Sequence, residues 1–201
     1  MMVIRPRLMV YYVLIGLGSL LAFAPPTIAQ NDDIIQQAEQ ALESIRSVQG
    51  RFIQIAPDGT VARGHYAVER PGRLRFEYDR SNDVIISDSV YIMKANMRTG
   101  NTQRRRLEST PLYVLLADDV QLEGDVTVIS AENVGESKRI TMYRTGHRDE
   151  GLLTLIFDAS TYQLEAWQTV DANGERTTVR LNSMETVDQF PRGTFRPPIV
   201  D

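Results

Sequence analysis

Cysteine is absent from all 201 residues, histidine occurs twice and tryptophan once. Without cysteine there is no disulfide, so a core must hold by burial alone even in an oxidising compartment. The same absence removes the residue at which a bacterial lipoprotein is acylated, so this chain is not anchored in that way. His65 and His147 have no cysteine beside them and no carboxylates at ligand spacing, which leaves no pattern for a transition-metal site. His65 falls on the polar parity of a strand, and His147 lies among Arg148, Asp149 and Glu150 in a turn. After residue 29 there is no G-x-S-x-G elbow and no Ser-x-x-Lys, and Gly135-Glu136-Ser137-Lys138 lacks the spaced glycines of a phosphate loop. Neighbouring carboxylates such as Glu77 with Asp79, or Asp118 with Asp119, read as strand-face and helix-end charges. The expectation is a protein that is not an enzyme and carries no metal or cofactor.

Long apolar runs are also missing, with one exception at the start. Arg5 and Arg7 precede an apolar stretch from Leu8 to Ala24, followed by Pro25-Pro26 and Thr27-Ile28-Ala29. That order is a cleavable signal peptide over 1–29, ending before Gln30, with an uncleaved anchor as the alternative. Residues 30–201 are then one exported domain. Removing the two signal arginines leaves 20 basic against 26 acidic side chains, a net charge near −6. This argues against nucleic acid or an anionic membrane surface as the main partner, and a soluble monomer is expected.

What is present is alternation. Between Gly64 and Tyr78 the chain reads GHYAVERPGRLRFEY, two period-two strands joined at Pro71-Gly72. Ala62, Gly64, Tyr66 and Val68 share a face with Leu74, Phe76 and Tyr78, while Arg63, His65, Glu69, Arg75, Glu77 and Asp79 face the other way. The apolar face needs a cover, which is a helix, a second sheet or a bound lipid. About eleven strands are expected: Arg51–Ala56, Thr60–Glu69, Arg73–Asp79, Asp83–Ser87, Val90–Asn96, Thr102–Leu107, Glu123–Ser130, Lys138–Arg144, Leu152–Asp158, Gln163–Val170 and Glu175–Asn182. Short connections make them an antiparallel meander, hence one large curved sheet or barrel.

Two helices accompany the strands. From Asp33 to Val48, Ile34, Ile35, Ala38, Ala41, Leu42, Ile45 and Val48 form a stripe, with Asp32 or Asp33 as cap and Gly50 as stop. Thr110 and Pro111 are placed to open a short second helix carrying Leu112, Val114, Leu115 and Leu116. Arg104-Arg105-Arg106 is the one basic run. In a strand its middle member faces away from the other two, giving either a solvated face or a docking patch for an acidic partner or lipid headgroup.

These segments together resemble a known family. Gly50-Arg51-Phe52-Ile53-Gln54 after a helix, a Gly-x-x-x-x-x-Arg-Pro-Gly-x-x-Arg-Phe-x-Tyr hairpin from Gly64, Ser109-Thr110-Pro111-Leu112 with Leu115-Leu116, and Phe195-Arg196-Pro197-Pro198 are similar to the LolA family of periplasmic outer-membrane lipoprotein carriers. The resemblance implies a mainly β protein, an incomplete antiparallel barrel with an α-helical lid over an apolar cavity. It implies a periplasmic chaperone for lipoprotein acyl chains, loaded by an inner-membrane ABC transporter and unloaded at an outer-membrane receptor. That receptor is itself a lipoprotein, an identity the missing cysteine rules out here. The expected cavity wall is Phe52, Tyr66, Val68, Leu74, Phe76 and Tyr78. The expected lid is Ile34, Ile35, Ala38, Leu42, Ile45, Leu112, Leu115 and Leu116, and the resemblance makes Arg70 a latch bonded to lid backbone. The chain departs from the family in having Asp88-Ser89 for the usual Asp-Gly, and Phe76 for the usual tryptophan. The alternative function is an envelope protein-interaction or sensor module, or a carrier of another lipid, on the same fold.

Overall fold

The computed structural model describes residues 28–197. The expected signal segment, 1–29, lies outside the described residues apart from the backbone of its last two positions. The chain begins with helix α1 (Ile28–Ser44) and continues through β1 (Ser47–Ile55), β2 (Val61–Glu69), β3 (Arg73–Tyr78), β4 (Asp83–Asp88), β5 (Tyr91–Asn96) and β6 (Thr102–Arg106). A 3-10 turn (Leu107–Ser109) and the single-turn helix α2 (Tyr113–Leu116) follow. The second half is β7 (Val126–Val134), β8 (Ser137–Arg144), β9 (Gly151–Asp158), β10 (Leu164–Asp171), β11 (Arg176–Leu181) and β12 (Glu185–Thr186).

All twelve strands join one antiparallel sheet in the order β6-β5-β4-β3-β2-β1-β11-β10-β9-β8-β7, with β12 added to β1. Its two ends, β6 and β7, do not pair, so the wall is an unclosed barrel, the fold class expected from the sequence. The twelfth strand is two residues opposite Val48 and Gln49, too short to show an alternation. Burial follows period two where one face is wet: in β9, Gly151, Leu153, Leu155 and Phe157 are buried between half-covered neighbours. In β4 the alternation fails because both faces are covered. Ile85 packs toward the main core, whereas Val84 and Ile86 form a second cluster with Ala95 on the outer face. The C-terminal segment also lies on that outer face. Phe190 and Phe195 meet edge-on at 5.2 Å, Arg73 sits 5.8 Å over the Phe195 ring, and Arg75 donates to the Thr194 carbonyl at 3.1 Å.

Five local expectations need correction. Helix α1 begins before Asp32 and Asp33, so neither caps it, and it ends at Ser44 rather than running to Val48, which is already in β1 opposite Val68. Gly50 is no helix stop: it is a strand residue at which a Cβ would lie 2.0 Å from the Ser183 carbonyl oxygen. A close backbone approach explains that glycine. Thr110 does not cap α2 either. Its hydroxyl donates back to the Leu107 carbonyl at 2.8 Å, closing the 3-10 turn, and the residue before α2 is Leu112. Leu107, expected to end a strand, is instead buried in that turn.

Candidate functional site

The inner face of β1 to β3 is paved with aromatic rings. Phe76 lies 4.6 Å from Phe52 and 5.7 Å from Tyr66, and Phe52 meets Tyr78 edge-on at 5.3 Å. Trp167 of β10 closes the set at 5.9 Å from Phe76. A Cβ at Gly64 would meet the Glu77 carbonyl oxygen at 1.9 Å and the Phe52 ring at 2.7 Å, so glycine is what leaves room for Phe52 there. Each hydroxyl at the margin has a partner: Tyr66 donates to the Ser183 carbonyl and Tyr78 to Gln54 Oε1, both at 2.8 Å. Burial raises both phenols above their ordinary value, Tyr66 strongly and Tyr78 to about 12.

Between this wall and the helices is an apolar cavity of about 40 Å³. Of the expected wall, Tyr66, Val68, Leu74 and Phe76 line it. Phe52 and Tyr78 stand behind Phe76 in the aromatic cluster. Of the expected lid, Leu42, Ile45, Leu112, Leu115 and Leu116 line it, while Ile34, Ile35 and Ala38 pack into the core away from the opening. Ile34, Ala38 and Leu42 recur at i+4 on the buried side of α1, and that helix packs against β7.

Arg70, in the turn just after β2, joins wall to lid. Its side chain is 0 % exposed. One terminal nitrogen donates to the Leu42 and Ile45 carbonyls at 2.6 and 3.2 Å, so the guanidinium satisfies the C-terminal end of α1. Nε donates to the Ala117 carbonyl at 2.7 Å, and the other terminal nitrogen to the Asp118 carbonyl at 3.1 Å and Glu43 Oε1 at 3.2 Å. Burial works against this charge, and Glu43 opposes the shift. Beside it, the Gly72 N–H donates to the Leu116 carbonyl at 2.7 Å.

Two features of the site were not evident in the sequence. The first is the extended strap after α2. Leu122 N–H donates to Glu39 Oε1 at 2.7 Å and Val120 N–H to Glu43 Oε1 at 2.5 Å, while the Val120 and Leu122 side chains are buried. The i,i+4 spacing of Glu39 and Glu43 puts both carboxylates on one side of α1, but nothing local says that their donors lie some eighty residues away. The Val120 N–H, with Arg70 and Arg46, holds the Glu43 carboxyl below its ordinary value. The second is the far wall: Leu164, Trp167, Leu181 and Met184. A bulge between Leu164 and Ala166 shifts the β10 register, so Trp167 faces inward opposite Leu155, against the parity set by Leu164.

Residues 43–198 match the family described as outer membrane lipoprotein carrier protein LolA. The chain is similar to the outer-membrane lipoprotein carrier protein of Pseudomonas entomophila (strain L48), at 25% identity over 90% of this chain and 91% of the relative. Its counterpart in Pseudomonas putida (strain W619) is also 25% identical, over 90% and 88%. Among solved structures, a putative outer membrane lipoprotein-sorting protein domain from Vibrio parahaemolyticus shares the fold. Its TM-score is 0.52 at 8% identity, covering 84% of this chain and 97% of that one.

Proposed function

The chain belongs to the LolA family of outer membrane lipoprotein carrier proteins, and on that premise we propose that it is a periplasmic chaperone for the acyl chains of lipoproteins. It takes its cargo from an inner-membrane ABC transporter and yields it to an outer-membrane receptor. The observation that carries this reading is the apolar cavity between an aromatic strand wall and a lid fastened through Arg70. About 40 Å³ cannot hold an acyl chain, so loading opens the lid and breaks bonds made by Arg70. Each buried methylene contributes about 0.8 kcal/mol to retention. Re-forming the Arg70 bonds on closure offsets part of that and drives release, while the lid equilibrium sets the barrier. No nucleotide or cofactor is required of this chain.

Arg70→Leu tests the mechanism. The variant keeps the apolar volume and loses the bonds made only in the closed state, so it should load lipoprotein and transfer it poorly to the receptor. Unaltered transfer by the purified variant would remove the latch from the mechanism. A second reading follows from the same small volume: an envelope interaction or sensor module whose cavity is filled by its own side chains. Recovery of partners with lipid analysis separates the two. Mature lipoproteins whose capture needs their acyl chains support the carrier, and capture indifferent to acylation supports the module. Recovery of a different lipid would keep the cavity and change the cargo.

A further inference from the structure

The β5–β6 hairpin concentrates positive charge. Residues 91–106 hold Lys94, Arg98, Arg104, Arg105 and Arg106 and no acid, in a chain of net charge −4, so the remainder carries −9. The hairpin is also one open end of the sheet. Asn96 N–H donates to the Asn101 carbonyl and Leu107 N–H to the Val90 carbonyl, both at 2.9 Å. By the alternation of an antiparallel ladder, the backbone groups of Gln103 and Arg105 also point to β5, and those of Thr102 and Arg104 point outward. Among the described residues nothing bonds those outward N–H and C=O groups; the next outward carbonyl, of Arg106, accepts from Ser109 Oγ at 2.7 Å.

The arginines straddle this edge. Arg105 lies opposite Ile92, which packs toward the main core, whereas Arg104 and Arg106 lie opposite Met93 and Tyr91 on the outer side. Arg104 sits 4.9 Å over the Tyr91 ring, and Arg106 pairs with Glu108 at 3.1 Å. Arg105 has no hydrogen-bond, ion-pair or ring partner among the described residues. A flat bilayer surface would meet only one side of such an edge. An added strand would lie between guanidinium groups on both of its faces and find unpaired backbone partners along its length.

We propose that the β6 edge is a docking site for an acidic, extended segment of a partner protein, which adds to the sheet as a further strand. The site is separate from the cavity, so a partner can be held there while the lid opens and closes. Charge steers the encounter, and the backbone ladder orients the partner.

The test uses the purified full chain and a capped peptide, Thr-Glu-Val-Glu-Glu-Val-Glu-Thr, measured by fluorescence anisotropy at low and moderate salt. A second peptide has the same sequence with alternate amides N-methylated. The expected result is binding of the first peptide that weakens with salt, and about tenfold or greater weakening on methylation or in the Arg104→Glu, Arg105→Glu, Arg106→Glu triple variant. Arg104→Pro removes an outward N–H without touching a ladder bond and should bind about tenfold more weakly than Arg104→Ala, which keeps it. Should the proline variant fold poorly by circular dichroism, amide exchange on the unaltered chain decides instead: peptide must slow exchange at Thr102 and Arg104. Equal binding of both peptides, unchanged exchange at those amides, or binding to phosphatidylglycerol vesicles but not to peptide would each overturn the proposal, as would no binding at all.

Discussion

Replacing Phe76 by alanine links packing to carriage. The side chain is 4 % exposed and touches three other aromatic rings at 4.6, 5.7 and 5.9 Å. Phe→Ala in a core costs about 3–5 kcal/mol, and the cost rises where the surroundings cannot collapse. Here Phe76 lies within a hydrogen-bonded strand between β2 and β4, so the backbone cannot move in, and about 4 kcal/mol is expected. For a domain of this size that lowers Tm by about 10 °C. The new space merges with the existing cavity of about 40 Å³. An acyl chain then enters with less displacement of wall and lid. Two further methylenes buried, at about 0.8 kcal/mol each, would tighten binding about tenfold.

Both quantities are accessible in one protein. Trp167 is the only tryptophan and lines the cavity, so its fluorescence follows urea unfolding and reports occupancy by an acyl probe. Phe190→Ala is the control, since Phe190 is buried on the outer face beside Ala67 and Arg75. It should destabilise the protein and leave probe affinity unchanged. A loss below about 1 kcal/mol for Phe76→Ala, or weaker probe binding in a variant that is still folded, would refute the assignment of Phe76 to the cavity wall.

Backbone fit and pH give further tests. Gly64→Ala should cost about 3 kcal/mol by urea unfolding, because its Cβ would strike a strand carbonyl. Gly59→Ala, at φ +82° with nothing within 4 Å, should cost only about 1 kcal/mol of left-handed strain. Glu43 has its folded-state pKa depressed below the ordinary 4.5, so its contribution is complete above that pH and lost as pH falls through the lower folded value. Glu43→Gln should therefore destabilise the protein at neutral pH, and the gap to the unaltered protein should narrow on acidification; a constant gap in urea midpoints from pH 7 to about 3 would dissociate that carboxylate from the strap.

How far the sequence reached differs between wall and lid. The hairpin from Gly64 to Tyr78 was readable because a strand facing water on one side carries its burial in every second residue, and β2 and β3 bury that parity at Gly64, Tyr66, Leu74 and Phe76. The basic run was readable as a strand with Arg105 opposed to its neighbours because side chains alternate along any strand, although here both faces are exposed. Parity failed where the backbone broke period two. The β10 bulge turned Trp167 inward, and the double cover of β4 made both of its faces apolar. Helix boundaries failed because their causes were not local. Arg70, reaching from β2, satisfies the end of α1 that Gly50 was expected to set.

Residue types and local spacing alone imply a cysteine-free, mainly antiparallel wall with one oily face and two apolar helices to cover it. Those properties depend on residue type and on spacing over a few positions, which the chain carries openly. That the cover is fastened rather than merely apposed, and that the cavity beneath it is small, emerged only once the elements were packed together. Fastening consists of hydrogen bonds that Arg70 donates to backbone carbonyls and that Glu39 and Glu43 accept from backbone N–H groups far along the chain, and a backbone N–H or C=O has no signature in a sequence. Cavity volume is a small difference between packed surfaces, and no single residue encodes it.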